Sequence, residues 1–307
     1  MLRGLFISLS QSQALRALAE GSSIGHRISG RFVAGTQIED VLRATRVVNQ
    51  SKISVSIDNL GENVTNAAEA NASVQLYDQL LDQIAARRLN ANISLKLTHM
   101  GLDVDENLAR ENVTRLVAKA AAMSPSNFVR VDMEGSAYTQ RTLDFVRELH
   151  RKPEKGCVGA VIQSYMRRSQ ADVEQLLADG IRIRLCKGAY KEPPEIAFQK
   201  KVDVDVNYIS LMKTLLKSGV YHGLATHDPK MIAEAKSFAT REKIDRDSFE
   251  FQMLYGIRRD LQQRLVREGW RMRVYIPFGS EWYPYLMRRL AERPANILFI
   301  AKNLLRG

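Results

Sequence analysis

Near the C-terminal end, Tyr285, Arg288, Arg289 and Glu292 stand at i, i+3, i+4 and i+7 in the run YPYLMRRLAERPAN, so a helix would carry them on one face. An adjacent arginine pair can fork a carboxylate or a phosphate, because each guanidinium offers two parallel donors. An isolated Arg–Arg is more often a solvated helix face. The forked reading gains weight here because a β-rich run, VYIPFG at 274–279, comes immediately before the helix. The helix is expected from about Tyr283 to Glu292. Pro284 suits its first turn, and Arg293 before Pro294 is driven out of helical geometry.

Other polar residues close similar β-rich runs: Lys96 in SLKLTH, Asp132 in VRVDME, Gln163 in AVIQSY, Arg184 and Lys187 in RLCKGAY, His227 in LATHDP and Tyr275 in VYIPFG. Strand side chains alternate between faces. With Leu95 and Leu97 outward, Lys96 points inward and needs an anion, either Asp132 on the next strand or a bound substrate. A Schiff-base lysine is the enzymatic alternative. Asp132 fits a charge-balancing and a catalytic role equally well. Arg184 shares the inward parity of Cys186. In Lys187-Gly188-Ala189 the glycine would let backbone N–H groups approach an anion. Asp228 reads as an N-cap with Pro229 at the first helical position, which leaves Thr226 and His227 for a phosphate or a ribose. No HExxH-type histidine pair occurs, so no metal is expected. No GxGxxG follows a strand, and no Ser/His/Asp or Cys/His nucleophile arrangement is recognisable.

These residues need elements to bring them together. Eight β-rich runs, ending near 62, 99, 134, 165, 190, 229, 256 and 279, alternate with amphipathic stretches such as 73–88 and 107–123. Eight rounds of strand then helix predict a parallel α/β sheet closed into a (β/α)8 barrel, whose C-terminal strand ends form the active mouth. No linker or repeat interrupts the alternation. One barrel domain is expected over 46–307, with residues 1–45 as helices packed outside it through Leu2, Leu5, Phe6, Leu9, Leu15 and Leu18. The 307 residues carry a formal charge of +11. Their basic groups are dispersed and interleaved with acids, so an anionic membrane face or an acidic small substrate ranks ahead of nucleic acid. Two cysteines suit a reducing compartment. No apolar run approaches the ~20 residues of a spanning helix, and the N-terminal segment reads as a packing helix rather than a targeting peptide.

Taken together, SLKLTHMGLD, RLCKGAYKEP, ATHDP, FEFQMLYG and the Y-x9-Y-x2-RR-x2-E pattern resemble the proline dehydrogenase family, in its short monofunctional bacterial form. The resemblance spans about 58–296. It implies a distorted TIM barrel with its last helix over the mouth, bound FAD, and oxidation of L-proline to Δ1-pyrroline-5-carboxylate with electrons passing to a membrane quinone. It implies a cytoplasmic protein, with peripheral attachment to the inner membrane face left open. By matched position it places Lys96, Arg288 and Arg289 on the proline carboxylate and Leu254, Tyr275 and Tyr285 around the ring. Arg184 falls beside flavin N5, and Met133 and Gln163 lie along the isoalloxazine. Lys187, Gly188, Ala189, Thr226 and His227 fall on the ribityl, pyrophosphate and adenosine portions. Asp132 anchors the charges, Glu62 gates the site against Arg289, and Glu292 braces the arginine helix. A hydroxyproline-selective relative, a Lys96 aldolase and a basic binding module remain as alternatives.

Overall fold

The structure, a computed structural model, describes residues 13–22, 25, 29–62, 64–152 and 156–292. Eight strands, β1 Ser54–Asn59, β2 Ala91–Leu95, β3 Val129–Val131, β4 Val158–Gln163, β5 Arg182–Cys186, β6 His222–Ala225, β7 Phe249–Leu254 and β8 Met272–Phe278, close in sequence order. Every pairing is parallel, including β8 back onto β1. This is the barrel the alternation predicts.

The strands are apolar on one side only. Val55, Ile57, Ile93, Leu95, Val129, Val131, Ile183, Leu185, Phe251, Val274 and Ile276 are fully buried in the layer under the helices. The opposite parity places Ser56, Asp58, Asn92, Ser94, Arg130, Gln163, Arg184, Glu250 and Gln252 inside, and these too are buried. Burying such polar groups costs stability unless each finds a partner. The barrel lumen is therefore a hydrogen-bonded charge network, where the aliphatic layers usual for this architecture would otherwise stand.

Ten helices are described: α1 Gln13–Glu20, α2 Ile38–Gln50, α3 Ala67–Ala86, α4 Glu106–Ala122, α5 Ser136–His150, α6 Ser169–Ala178, α7 Lys201–Lys217, α8 Pro229–Arg241, α9 Arg259–Arg267 and α10 Trp282–Glu292. Asn66, Asp105 and Asp228 cap α3, α4 and α8 by accepting a backbone N–H, each cap contributing about 1 kcal/mol. Asp228 and Pro229 thus occupy their expected positions.

The seam between β8 and β1 is covered by α2, which precedes the barrel in sequence and runs across residue 45. That leaves α10, the helix after β8, to pack elsewhere. It meets α1 and buries Trp282, Tyr283, Tyr285, Leu286 and Met287 against Phe32, Val33 and Leu60. Leu60 directly follows β1, so α10 begins at the mouth end of the barrel. Arg16 of α1 ties down the turn before α10 with a two-pronged contact to Glu281, at 2.9 and 2.7 Å. One N-terminal expectation needs correction: Leu18 does not pack and is 70% exposed, on a helix whose main packing partner is α10. Leu2, Leu5, Phe6 and Leu9 lie outside the described residues.

Candidate active site

Residues from six strands, β1, β2, β3, β5, β7 and β8, build the centre of the mouth. Arg184, on β5, reaches across the lumen. Its Nη1 donates to Asp132 Oδ1 at 2.7 Å and to Ser94 Oγ at 3.1 Å, its Nη2 to Ser56 Oγ at 3.0 Å, and its Nε to Gln252 Oε1 at 2.6 Å. Asp132 also accepts from Ser94 Oγ at 2.7 Å and from the Tyr275 hydroxyl at 3.0 Å. The Arg184 guanidinium lies over the Tyr275 ring, 5.3 Å from its centre. Burial, with the carboxylates of Asp132 and Asp58, pushes the Tyr275 phenol well above its ordinary range, so it remains a donor.

Lys96 follows β2 and points inward as its parity requires; its side chain is 12% exposed. Its expected partner, however, is corrected. The nearest carboxylates are Asp58 at 3.6 Å and Glu62 at 3.8 Å. Asp132 stands beside Lys96 in register, but Arg184, Ser94 and Tyr275 already engage its oxygens. Burial would push the Lys96 ammonium down, yet Asp58, Asp132 and Glu62 outweigh burial and the net direction is up. Asp58 is pushed up to about 6 by burial, against the pull of Lys96. A lysine held this firmly protonated is poorly suited to Schiff-base attack.

On the β4 side, Gln163 donates its amide nitrogen to the carbonyls of Met133 and Glu134, at 3.1 and 3.2 Å. Its Oε1 is buried without a hydrogen-bond partner, as is the Tyr165 hydroxyl. Met133 is buried beside it. Gly188 has a φ of +102° and turns its hydrogen against the Tyr165 ring, where an added Cβ would lie 2.2 Å from a ring carbon. Its glycine is therefore required by packing and backbone geometry, independently of any anion. Lys187 is taken by two acids, Asp205 at 2.5 Å and Asp228 at 2.8 Å, so its charge is already balanced. Ala189 follows on the same part-exposed loop. Thr226 Oγ1 accepts from the Asp228 amide, and His227 Nε2 accepts from the Leu254 amide at 2.9 Å. That bond leaves the proton of a neutral His227 on Nδ1.

A cleft of about 690 Å³ opens beside this centre, between the loops after β1 and β8. Glu62 and His99 belong to its wall, together with Asn59, Leu60, Gly279 and Pro284. Tyr285 is buried in the cluster under α10. Arg288, Arg289 and Glu292 fall on the same helix, but their side chains lie outside the described residues.

Sequence reasoning missed several members of this site: Ser56, Asp58, Ser94, Glu134, Gln252 and His99. Strand parity could have found most of them. Ser56 and Asp58 alternate inward on β1, Ser94 lies two residues before Lys96, and Gln252 lies two before Leu254. Glu134, which accepts from Thr98 Oγ1 at 2.7 Å, lies two residues after Asp132 and carried the same signal.

An eight-stranded parallel barrel whose strand ends gather a buried charge network at one mouth is the architecture of a (β/α)8-barrel enzyme. The family model described as proline dehydrogenase matches residues 41–302, and the chain belongs to that family. It is 40% identical to Proline dehydrogenase 2 of Bacillus subtilis (strain 168) over 303 residues, covering 98% of both chains. It is also 40% identical to the Proline dehydrogenase of Deinococcus radiodurans over 285 residues, covering 91% of both. Its fold is similar to the crystal structure of proline utilization A (PutA) from Bdellovibrio bacteriovorus inactivated by N-propargylglycine, with a TM-score of 0.81 at 25% identity. That match covers 87% of this chain and 32% of the PutA chain.

Proposed function

We propose that this chain oxidises L-proline to Δ1-pyrroline-5-carboxylate with FAD as cofactor, its electrons passing on to a quinone. The observation that carries this reading is the convergence of Lys96, Asp132, Arg184 and Tyr275 from four strands on one mouth, within a chain of the proline dehydrogenase family. A flavin fits the residues present. The orphaned Gln163 Oε1 is an acceptor waiting for an N–H, and the buried Tyr165 hydroxyl lacks a partner on the same side. Met133, Gln163 and Arg184 would hold the isoalloxazine, and Lys187, Gly188, Ala189, Thr226 and His227 the remainder of the cofactor.

FAD, when bound, supplies the acceptor for a hydride from the ring carbon next to the proline nitrogen. Lys96, with Arg288 and Arg289 on α10, binds the substrate carboxylate and fixes which carbon faces the acceptor, a positioning role. Crowding these cations with Arg184 in a desolvated site disfavours the substrate ammonium, so proline is held as the neutral amine that the oxidation needs. Arg184 stabilises negative charge as it develops on the acceptor. Asp132 keeps Arg184 and Tyr275 in place. Leu254, Tyr275 and Tyr285 wall the ring and exclude water, and Glu292 braces the arginine helix. Glu62, 28% exposed and now on Lys96, would exchange to Arg289 as the site closes on substrate.

The raised Lys96 ammonium weighs against the aldolase reading, and a buried, charge-balanced lumen against a nucleic-acid module. Among the described residues no helix is long and apolar enough to cross a membrane. The test is direct: purified protein should be yellow, and anaerobic L-proline should bleach its flavin absorbance. A colourless protein that takes up no FAD would overturn the reading.

A further inference from the structure

Beneath Arg184 the lumen closes a ring of hydrogen bonds that the chemistry above does not use. Arg184 Nη2 donates to Ser56 Oγ, and the Ser56 hydroxyl donates to Asn92 Oδ1 at 3.1 Å. Arg273 Nη1 donates to the same Asn92 oxygen at 2.7 Å, and Arg273 Nε donates to Glu250 Oε1 at 2.6 Å. Gln252 Nε2 also donates to Glu250 Oε1 at 2.6 Å, and Gln252 Oε1 accepts from Arg184 Nε at 2.6 Å. Residues from β1, β2, β5, β7 and β8 thus form one circuit, deep below the mouth.

Gln252 is the directional member of this ring. One side of its amide faces a carboxylate, which only accepts; the other faces a guanidinium, which only donates. The amide can satisfy both in a single orientation, oxygen toward Arg184. Glu250 stays ionised to enforce it: burial works to raise its pKa, but Arg273, the Tyr221 hydroxyl and the Gln252 amide together hold it below the ordinary range. Room for the amide comes from Gly223 on β6, where an added Cβ would lie 2.2 Å from Gln252 Nε2. The Nε bond also fixes something Asp132 alone does not. Asp132 and Ser94 hold one end of the guanidinium; Gln252 on Nε, with Ser56 on Nη2, sets the rotation of its plane.

We propose that Gln252 is a positioning residue for the oxidation, aiming Arg184 at the flavin through a ring anchored on Glu250 and Arg273. The inference rests on the flavin reading above.

Three variants test it by stopped-flow flavin reduction, flavin potential and the proline KM. Gln252→Met keeps the volume and removes both bonds. Its flavin reduction should slow on the order of tenfold, the scale of a small misalignment. Its potential should fall, and its KM should stay near wild type, because the carboxylate-binding groups lie elsewhere. The double exchange Glu250→Gln with Gln252→Glu keeps the same total charge and puts an acceptor, now a carboxylate, back on Arg184 Nε; it should bring the reduction rate most of the way back. Loss of packing alone would not be rescued this way. Ser56→Ala, which removes one oxygen from the opposite arc, should slow reduction about fivefold in the same direction. A yellow Gln252→Met protein with wild-type rate and potential would overturn the proposal. If that variant fails to fold, a wild-type reduction rate in Ser56→Ala does so. A wild-type chain that takes up no FAD overturns the parent reading, by a different readout.

Discussion

Arg184 and Lys96 are both inward cations near the same mouth, and the structure gives them opposite surroundings. Arg184 makes four hydrogen bonds, using all three of its nitrogens, to neighbours that only accept or can accept, and these fix its plane. Lys96 sits between two carboxylates at ion-pair distances of 3.6 and 3.8 Å, with no side-chain hydrogen bond among the described residues to fix it, so its ammonium is free to turn toward a substrate carboxylate. The two should therefore fail differently. Arg184→Ala is expected to lower flavin reduction at saturating proline on the order of a hundredfold, the usual cost of one preorganised electrostatic partner, with proline affinity much less changed. Stopped-flow reduction measures this, and a wild-type rate would remove Arg184 from the chemistry. Lys96→Met should instead weaken proline binding by roughly 1.5–3 kcal/mol, the worth of a charge-assisted contact, seen as a raised KM and spectral Kd. An unchanged Kd would leave Lys96 as a charge-balancing residue only.

Helix α10 is where position along the chain and position in space diverge most. It follows β8 in sequence but yields the β8–β1 seam to α2 and packs on α1 and the Phe32–Val33 segment. Its Tyr285 is buried there, one turn before the arginine pair on the same face. Tyr285→Ser should then do two things. It should lower stability by about 3 kcal/mol through the cavity it leaves under α10, measurable as a reduced Tm. On the proposed placement of Tyr285 against the substrate ring, it should also narrow the preference for L-proline over trans-4-hydroxyproline, read as the ratio of kcat/KM, because the tyrosine would fill space a hydroxyl needs. A lower Tm with an unchanged ratio would assign Tyr285 to packing alone.

Acid sensitivity belongs to the barrel as a body, because its histidines are buried in different layers. His222 is held neutral, down to about 3, by burial and by Arg130; its Nδ1 accepts the Ile183 amide. His99 is held down to about 4 by burial and by Lys96. Both would take a proton near 6.5 in the unfolded chain. Between those values the unfolded chain binds more protons, so their stabilisation is complete above about pH 6.5 and is lost as pH falls. Each contributes up to about 1.4 kcal/mol per pH unit. Asp58, raised to about 6, works the other way between its unfolded value and that point. Glu134, also raised by burial, works in the same sense as Asp58, while the depressed Glu250 adds to the histidine side. Tm is expected to fall from pH 7 to pH 5, and His222→Asn, which keeps an acceptor for Ile183, should flatten that fall. A variant slope equal to wild type would show that His222 is not the group lost.

Most of this architecture was legible from one dimension. Strand runs, helical spacing between them and eight repetitions point to a closed parallel barrel, in which each strand buries one face under helices and the other in the lumen. The same parity points Lys96, Asp132, Gln163, Arg184 and Tyr275 toward the lumen, since side-chain direction along a strand is a local property. Asp228 and Pro229 declare a helix start for equally local reasons. Pairing across the lumen was not legible. Which carboxylate meets Lys96, which acids neutralise Lys187 and why Gly188 must be glycine depend on strand register, side-chain reach and competition for acceptors. Each of those contacts joins residues distant in sequence. Asp132 was lost to Lys96 because a longer, planar guanidinium from two strands away reached it first, and that outcome exists only once the barrel has closed.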